Sequence, residues 1–480
     1  MSADTLVREE SGAEPQDPSR LRQLAESLRL ARRTHFRRGE FSVVARGAIW
    51  VLIGVGASKV VRSAMTLVLA RWFLGPKDFG LVALMGAFLS GVTMLSDVGL
   101  DAAVVRNPQG DDPEFVNTAY LIQALRGVAL WAIAASLAYP FAAFYHQPLL
   151  RGLVVVGALD VAIRGFTSGS VWSLARGVRT DKLAGLTLLG DAAGFAVAIT
   201  WAALSPTAWA LVAGTVASAL TYVTASHIVA ERPVRLSWNR AAARQVLFFG
   251  AGMFFSSATY FLVGEGQRLA LAKFINVAEF GCFALALSIA TVPDQLIGSL
   301  VSKVFFPVVS RTLAENPAAA TAQFKKIRLL ILALSACMAV GFIFLGRPAA
   351  AMVLGPKYHD AGWMLQLLGV RAALQVYSCV ATYMLFAIGF SKYAAFGNLA
   401  KLVHLAVGLT IAFALFGFKE AVWVIALAPI SAHIPLVVGL ARHSRGVLRI
   451  EILCASALLA IALLAGAVIY LLPILEGLHS

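Results

Sequence analysis

Long apolar segments separated by short polar connections run through nearly the whole chain. A hydrocarbon core about 30 Å thick needs about 20 helical residues, and about thirteen segments approach or exceed that length. Their approximate bounds are 47–70, 79–105, 118–144, 149–174, 183–204, 208–229, 246–272, 280–309, 329–345, 363–388, 393–416, 421–440 and 450–472. The pattern predicts an all-α, polytopic membrane protein with about 13 transmembrane helices, within a range of about 12 to 14.

The composition agrees with a chain whose solvent is the bilayer. Hydrophobic residues make up 59% of the 480 positions and charged residues only 14%, whereas charged residues approach a quarter of a typical soluble domain. The apolar excess extends over the whole length, which excludes a soluble domain carried by a single anchor. The first residues, about forty, are polar, so we expect no cleaved secretory signal.

Positive charge is distributed unevenly between alternate connections. With the N-terminus in the cytoplasm, about 25 Lys and Arg residues, Arg328 among them, fall in the tail and the even-numbered connections, against about seven in the others. Because Lys and Arg collect on the cytoplasmic side of short loops, we predict a cytoplasmic N-terminus and an external C-terminus. This topology explains the net charge of +15, and we expect no nucleic-acid partner.

The N-terminal tail contains a basic stretch between Ser19 and Arg38, in which leucines at helical spacing recur among arginines. One interpretation is an amphipathic helix that lies on anionic lipid headgroups. The other is a solvated basic run that only sets the topology.

The chain also resembles itself at two places, in each case about 200 residues and six segments apart. The stretch LARWFLGPKDFG, Leu69–Gly80, returns one residue shorter as LAKFINVAEFG, Leu271–Gly281. Similarly, DKLAG from Asp181 parallels SKYAA from Ser391. Because six is even, two such halves enter the membrane in the same direction and are related by a pseudo-twofold axis along the membrane normal.

The predicted organisation is a cytoplasmic tail at 1–45, six-helix bundles at 46–230 and 246–441, a cytoplasmic linker at 231–245 and an extra transmembrane helix at 449–473.

Many ionisable residues lie inside the predicted spans. A charge at the bilayer centre costs several kcal/mol unless it is paired or hydrated, so these residues are candidates for function. A spacing of four predicts that Asp160 pairs with Arg164 on one helix, and a spacing of three that Glu265 pairs with Arg268 on another.

Lys59 and Arg62 of the first span have no acid on their own helix. They need a partner from another helix, water or an anionic ligand. Among the buried cations, these two are the favoured candidates for binding substrate.

No catalytic or nucleotide-hydrolysing motif accompanies these charges. The sequence contains no phosphate-binding Gly-rich loop, no HExxH metal motif, no nucleophile elbow and no CxxC pair. Its four cysteines lie in apolar segments and indicate small hydrophobic side chains rather than disulfides or metal ligands. We therefore expect a transporter, not an enzyme, without catalytic residues, metal or cofactor, and driven by an ion gradient or by substrate flux.

Three segments of the first predicted bundle carry a motif: Leu69–Leu84 (LARWFLGPKDFGLVAL), Leu95–Leu100 (LSDVGL) and Val105–Arg106. This motif resembles the polysaccharide-transporter family, the lipid-linked oligosaccharide and lipopolysaccharide flippases of the multidrug/oligosaccharidyl-lipid/polysaccharide exporter superfamily. The resemblance implies two six-helix bundles around a central cavity. It also implies that an undecaprenyl-pyrophosphate-linked oligosaccharide, a repeat unit of exopolysaccharide, capsule or O-antigen, is flipped across the bacterial inner membrane by alternating access.

The resemblance suggests roles for the buried charges. A lipid pyrophosphate is anionic, and the residues expected to bind it are Lys59, Arg62, Arg126, Arg164, Arg268 and Arg371. The candidates for binding a coupling proton or sodium ion are Asp160, Asp191, Glu265 and Asp294. Expected partners are the lipid-linked oligosaccharide, membrane lipids and the polysaccharide polymerase or export machinery.

Two other functions stay open. The first is an ion-coupled drug or metabolite antiporter of the same superfamily. Drug exporters in it often carry an acid in the first span, where this chain has Lys59 and Arg62, which favours the anionic glycolipid. The second is a membrane glycosyltransferase or polymerase. Such enzymes need a sizeable outer domain or loop with acids and histidines, and the longest outer connection, 346–362, offers only His359 and Asp360.

Overall fold

The computed structural model describes residues 56–96, 99–107, 112–177, 179–230, 235–443 and 449–458, with the single residues 110, 460 and 463. Every regular element within these residues is helical, in agreement with the predicted all-α class. The predicted tail at 1–45 with its amphipathic stretch lies outside the described residues. The same holds for the beginning of the first predicted span and the end of the last.

The elements up to residue 230 are helices α1 to α9. They are α1 (56–68, followed by a π-helical turn at Leu69–Phe73), α2 (Pro76–Met94), α3 (Leu100–Arg106), α4 (Pro113–Phe144), α5 (Pro148–Gly157), α6 (Leu159–Gly165), α7 (Ser170–Arg176), α8 (Thr180–Leu204) and α9 (Trp209–Ile228). The segment predicted as one span at 149–174 is therefore divided into α5, α6 and α7, with breaks at Ala158 and at 166–169. Glycine and hydroxyl residues, which are weak helix formers, occupy the second break.

The remaining elements are helices α10 to α18. They are α10 (Arg240–Phe261, followed by a π-helical turn at Leu262–Gly266), α11 (Gln267–Phe274), α12 (Val277–Leu300, followed by a π-helical turn at Val301–Phe305), α13 (Phe306–Glu315), α14 (Pro317–Leu354), a 3₁₀ turn at Pro356–Tyr358, α15 (Ala361–Ile388), α16 (Lys392–Leu415), α17 (Phe418–His443) and α18 (449–458). Two boundaries differ from expectation. α10 begins inside the stretch predicted as a linker at 231–245, and α14 begins well before the apolar run predicted from 329.

Nine stretches among the described residues are long and apolar enough to cross a membrane. They are Pro76–Met94, Pro113–Phe144, Asp181–Leu204, Trp209–Ile228, Val277–Glu315, Ala319–Leu354, Ala361–Ile388, Lys392–Leu415 and Phe418–His443. Each corresponds to one predicted span. The other predicted spans correspond to α1, α5 to α7, α10 to α11, and α18, and both α1 and α18 adjoin residues outside the described ranges. The total of about 13 spans stays a prediction.

α15 is the most enclosed of these helices. In its most apolar stretch 83% of the residues are buried inside the protein, against 22% to 50% in the other eight. Those other helices expose large apolar side chains, such as Leu204, Ile228 and Met352. A surface this apolar is stable in contact with lipid and not with water, as expected for a polytopic membrane protein.

The two copies of the predicted repeat begin their helices in the same way. α2 starts after Gly75, whose N–H donates to the Asp78 carboxylate at 3.1 Å. α12 starts after Asn276, whose N–H donates to the Glu279 carboxylate at 3.4 Å while its side chain accepts from the Glu279 N–H at 2.8 Å. Such contacts satisfy the free N–H groups of a first helical turn. The similarity of the two sequence copies therefore extends to their local structure.

The two copies also pack against each other through matching glycines. A Cβ atom on Gly80 would overlap the carbonyl oxygen of Val277, and one on Gly281 would overlap that of Pro76. Pro76 and Val277 hold matching positions in the repeat, so the contact between α2 and α12 is reciprocal, as a twofold axis requires. Only glycine lets two helix backbones approach this closely.

Substituting one of these glycines should weaken the contact. We expect Gly281→Ala to push α2 away from α12 and to destabilise the protein by about 1–3 kcal/mol, the usual effect of overpacking. The measurement is the melting temperature of the purified protein in detergent. Gly298→Ala, on the same helix but with open space at the Cβ position, is the matched control. Equal melting temperatures for the two variants would contradict the contact.

Candidate functional site

Two adjoining chambers lie among the helices before residue 230, with volumes of about 530 Å³ and 590 Å³. The first chamber is lined by α2, α3, α4, α6, α7 and α9, and the second by α1, α2, α5, α6, α8 and α9. Both have the size of small-molecule binding sites. The residues that line both chambers are Thr93, Asp160, Val161 and Arg164.

Arg62 of α1 lines the second chamber and pairs with Asp191 of α8. Its Nη2 and Nε atoms lie 2.9 Å and 3.0 Å from Asp191 Oδ1, and Nε lies 3.1 Å from Oδ2. Ser58, one turn earlier on α1, donates a hydrogen bond to the same carboxylate. The Asp191 side chain is 4% exposed and that of Arg62 is 56% exposed. The acid that Arg62 lacks on its own helix is therefore supplied by another helix.

Asp160 and Arg164 form the ion pair that their spacing predicts. Arg164 Nε lies 3.0 Å from Asp160 Oδ1 on α6, and both side chains are partly exposed to the two chambers. The Arg164 guanidinium also lies 5.5 Å from the centre of the Tyr222 ring on α9, within the range of a cation–π contact.

Arg126 of α4, predicted to bind substrate, holds the end of α2. Its Nε donates to the carbonyl oxygen of Ser96 at 3.0 Å, and its Nη2 donates to that of Thr93 at 3.1 Å. Free carbonyl groups and a partial negative charge occur at the C-terminal end of a helix, which explains the stable position of a cation there. Arg126 nevertheless lines the first chamber.

Basic and acidic residues that line the chambers are equal in number. Among the described residues the basic ones are Arg62, Arg126 and Arg164, and the acidic ones are Asp101, Asp160 and Asp191. The described lining therefore has no net formal charge. Lys59 lies half-buried on α1, lines neither chamber, and has no ion-pair partner among the described residues.

Arg268 lies outside these chambers, at the start of α11. Its Nη1 atom is 2.8 Å from Oε2 of Glu265, which lies in the preceding π-helical turn. The ion pair predicted from the spacing of three is therefore present. Both side chains are about one-fifth exposed, so the pair is mostly shielded from solvent.

Arg371 lies in the same region as Arg268 and forms the centre of a second group of charges. It is buried on α15, and its Nε and Nη1 atoms have no hydrogen-bond partner within the described residues. Asp294 of α12 and Lys401 of α16 lie close enough to interact with it electrostatically. Lys401 is also buried, and its Nζ donates only to Gln375, at 3.4 Å, among the described residues. Two cations against one acid give the group Asp294, Arg371 and Lys401 a net positive charge.

One end of the structure, where α2 begins, is closed by hydrogen bonds between distant parts of the chain. The Tyr358 hydroxyl donates to the carbonyl oxygen of Leu74 at 3.1 Å, and the Tyr145 hydroxyl donates to that of Leu269 at 2.9 Å. Burial raises the pKa of Tyr358, which lies in the connection between α14 and α15, so its hydroxyl stays protonated and able to donate. The first chamber lies near the other end of α2.

A fully buried ionic network joins α14, α15, α17 and α18. Arg328 donates to Oε1 of Glu451, and both side chains are completely buried. The same oxygen lies 2.9 Å from His433 Nε2 and 3.3 Å from the Tyr377 hydroxyl. The network fixes α18 to the helices before it, because separating them would leave a buried charge without a counter-ion.

The placement of Arg328 in a connection between spans was wrong, because α14 extends well beyond the apolar run on which that prediction was based and includes this residue. The side of the membrane stays a prediction. One sequence signal pointed to the network. Glu451 is a lone acid at the start of the last apolar segment and needs a cation there.

Comparison with known proteins gives consistent results at the sequence level. A family model described as "Polysaccharide biosynthesis protein" matches residues 68–363. The succinoglycan biosynthesis transport protein ExoT of Rhizobium meliloti (strain 1021) is 23% identical over 346 residues, covering 69% of this chain and 66% of that protein. The lipopolysaccharide biosynthesis protein WzxC of Escherichia coli (strain K12) is 20% identical over 337 residues, covering 68% of this chain and 67% of that protein. The chain thus spans slightly less than two thirds of the length of ExoT.

Solved structures share the fold. The lipid II flippase MurJ in an inward closed conformation has a TM-score of 0.64 and 12% identity, covering 88% of this chain and 97% of that chain. An inward-facing multidrug resistance MATE family transporter of the MOP superfamily has a TM-score of 0.62 and 14% identity, covering 81% of this chain and 95% of that chain. The chain therefore has a fold like that of MATE transporters and MurJ.

Removing one partner of the Arg328–Glu451 pair should leave a buried charge without a counter-ion. We expect Glu451→Ala to lower the free energy of unfolding by about 3–5 kcal/mol, and the double variant Arg328→Met/Glu451→Leu to recover most of that loss. Melting temperatures in detergent provide the measurement. Arg311→Met, in the exposed Arg311–Glu315 pair, is the control and should change little. If Glu451→Ala melts like Arg311→Met, the network does not hold α18.

Proposed function

Because the chain belongs to the polysaccharide biosynthesis protein family, we propose that it flips an undecaprenyl-pyrophosphate-linked oligosaccharide from the inner to the outer leaflet of the bacterial inner membrane. The protein is a multi-pass transporter of polysaccharide biosynthesis and not an enzyme, as predicted. The lipid-linked substrate, the inner-membrane location, the cytoplasmic N-terminus and alternating access are parts of the proposal.

The observation that carries this proposal is the buried Arg371, two of whose guanidinium nitrogens, Nε and Nη1, have no hydrogen-bond partner among the described residues. A buried donor without an acceptor costs about 1–3 kcal/mol, and a bound anion would supply the acceptors that Arg371 lacks. A pyrophosphate offers several anionic oxygens that a guanidinium binds through paired hydrogen bonds. Lys401 adds a second buried cation beside it. Arg371 and Lys401 therefore form the proposed headgroup site, with Arg268 nearby.

Four of the six cations predicted to bind substrate are less suited to the pyrophosphate. Arg62, Arg164 and Arg268 are each neutralised by an acid, and Arg126 donates to the end of α2. Lys59 has no ion-pair partner among the described residues, and we keep it as a candidate contact on the path of the headgroup. The proposal thus narrows the predicted set of cations to Arg371 at the headgroup site and Lys59 on the path to it, and adds Lys401.

Alternating access needs two bodies that move against each other, and we propose the predicted bundles, 46–230 and 246–441, for this role. The reciprocal contact of Gly80 and Gly281 supports a twofold relation between them. Tyrosine hydroxyls on backbone carbonyls close the end where α2 begins, which is the outer end in the proposed orientation. The chambers at the other end would then be reached from the cytoplasmic side.

Asp294 is the acid best suited to bind a coupling proton or sodium ion. Of the four predicted acids, Asp160, Asp191 and Glu265 are already engaged by arginines. Asp294 has no hydrogen bond or ion pair within 4 Å among the described residues, although Arg371 and Lys401 lie close enough to interact with it electrostatically. An ion bound at Asp294 would change the net charge beside the proposed headgroup site, which couples ion binding to substrate binding.

Loss of the proposed headgroup site should stop export. In a strain that lacks the gene, lipid-linked oligosaccharide should accumulate on the inner leaflet, and the restored gene should clear it. We expect Arg371→Ala and Lys401→Ala each to slow clearance about 10- to 100-fold, as for a lost hydrogen bond to a charged group. Arg311→Ala, which removes an exposed arginine, is the control, and immunoblots confirm equal amounts in the membrane.

Clearance at the wild-type rate by both variants would contradict the headgroup site. A deletion strain without accumulation would contradict the function itself. Reconstituted protein that moves a cationic drug and not the lipid would indicate the antiporter instead.

Neutralising the proposed ion site should uncouple transport. We expect Asp294→Asn to flip the lipid in proteoliposomes at a rate that no longer depends on an imposed proton or sodium gradient, because the amide cannot exchange the ion. Asp181→Asn, an exposed acid at the start of α8, is the control and should keep the wild-type dependence. If Asp294→Asn responds to the gradients like the wild type, another residue binds the ion.

A further inference from the structure

The first chamber is lined by the kinds of group that hold sugar rings. Trp172 and Tyr222 supply aromatic rings, Gln123 a side-chain amide, and Asp101 and Asp160 carboxylates. Aromatic rings offer flat apolar faces for the C–H faces of a sugar, while amides and carboxylates hydrogen-bond to its hydroxyl groups. The chamber thus has both parts needed to recognise an uncharged polyol.

The charges of the chambers do not favour an anionic group. Arg62 and Arg164 each bind an aspartate, and Arg126 donates to the backbone at the end of α2. With equal numbers of basic and acidic residues in the described lining, nothing there balances the charge of a pyrophosphate. This separates the chambers from the positively charged group that contains Arg371 and Lys401.

Several polar groups in the first chamber keep hydrogen-bonding capacity within the described residues. Gln123 Nε2 donates to the carbonyl oxygen of Arg164 at 3.1 Å, which leaves its Oε1 and second N–H. Asp101 Oδ1 accepts from Trp172 Nε1 at 2.7 Å, which leaves Oδ2. Asp160 binds Arg164 through Oδ1 and likewise keeps Oδ2. Each hydroxyl of a sugar both donates and accepts, so adjacent hydroxyls match this mixture of donors and acceptors.

We propose that the two chambers bind the glycan of the lipid-linked substrate through its uncharged sugar rings, while Arg371 and Lys401 bind the pyrophosphate. This inference rests on the proposed function, because it divides one substrate between two subsites. Chambers of about 530 Å³ and 590 Å³ that share part of their lining offer room for more than one ring. The first chamber would take sugars at the end away from the tyrosine hydrogen bonds, and the second would continue the path past Arg62 and Asp191.

Ligand-induced thermal shifts of the full-length protein in detergent separate the two subsites. The probes are inorganic pyrophosphate and the oligosaccharide released by mild acid from the host's lipid-linked pool. We expect the oligosaccharide to stabilise the wild type and Arg371→Ala, and to bind about tenfold more weakly to Gln123→Ala and Trp172→Phe. Pyrophosphate should stabilise the wild type and Gln123→Ala but not Arg371→Ala.

Gln295→Ala, an exposed glutamine of α12, and Trp201→Phe, an exposed tryptophan of α8, are the matched controls and should bind both probes like the wild type. The inference is overturned if the oligosaccharide does not stabilise the wild type, or if Gln123→Ala and Trp172→Phe both bind it with unchanged affinity. Pyrophosphate binding that is lost in Arg164→Ala and kept in Arg371→Ala also overturns it. Oligosaccharide binding without flipping of the lipid-linked form in vesicles would refute the proposed function and leave the sugar site standing.

Discussion

A charged side chain in the hydrocarbon of a bilayer needs a counter-charge, water or a ligand, and this constraint orders the helices of the chain. The pair Arg62–Asp191 joins α1 to α8, and the pair Arg328–Glu451 joins α14 to α18. In both pairs the acid is almost completely buried, so separating the helices would leave a buried carboxylate without its counter-ion, at a cost of several kcal/mol. In lipid the hydrophobic effect does not drive helices together, so close packing and ion pairs such as these specify which helices become neighbours.

The same constraint gives meaning to the group of charges around Arg371, in which positive charges are not balanced by acids. In the described lining of the chambers before residue 230 the charges cancel, whereas Arg371 and Lys401 outnumber the nearby Asp294. A membrane protein that keeps two buried cations beside one acid gains nothing from them in stability alone, because replacing buried charges with apolar residues is often neutral or stabilising. Their retention fits a substrate that brings its own negative charge, and the neutral chambers fit the uncharged part of that substrate.

What could be predicted from the sequence depended on how far apart along the chain two interacting residues lie. The Asp160–Arg164 pair follows from the helical period. The repeat indicated two similar halves, and the similar first turns of α2 and α12 agree with it, while the division into two six-helix bundles stays a prediction. The Arg328–Glu451 pair spans 123 positions and depends on which helices pack together, which no local pattern encodes. For the same reason, the sequence identified Arg371 as a buried cation but did not reveal its surroundings. Which arginines line neutral chambers, and which belong to a positively charged group, depends on how the helices pack.

The location of the ion pairs also determines how freely the two proposed halves can move. Among the described residues, the ion pairs within the membrane lie inside one half, or join α18 to the second half. The closed end is held by the Tyr358 and Tyr145 hydroxyls and by the contact of Gly80 with Gly281. Lys273 and Arg71 also cross between the halves there, and they donate to the carbonyl oxygens of Phe144 and Ala351. When this end opens, water can replace these hydrogen bonds to backbone carbonyl oxygens, and no ion pair among the described residues is separated. An ion pair between the halves would instead hold them in one state, so ion pairs within each half and hydrogen bonds to backbone carbonyl oxygens between the halves allow rigid bodies to alternate.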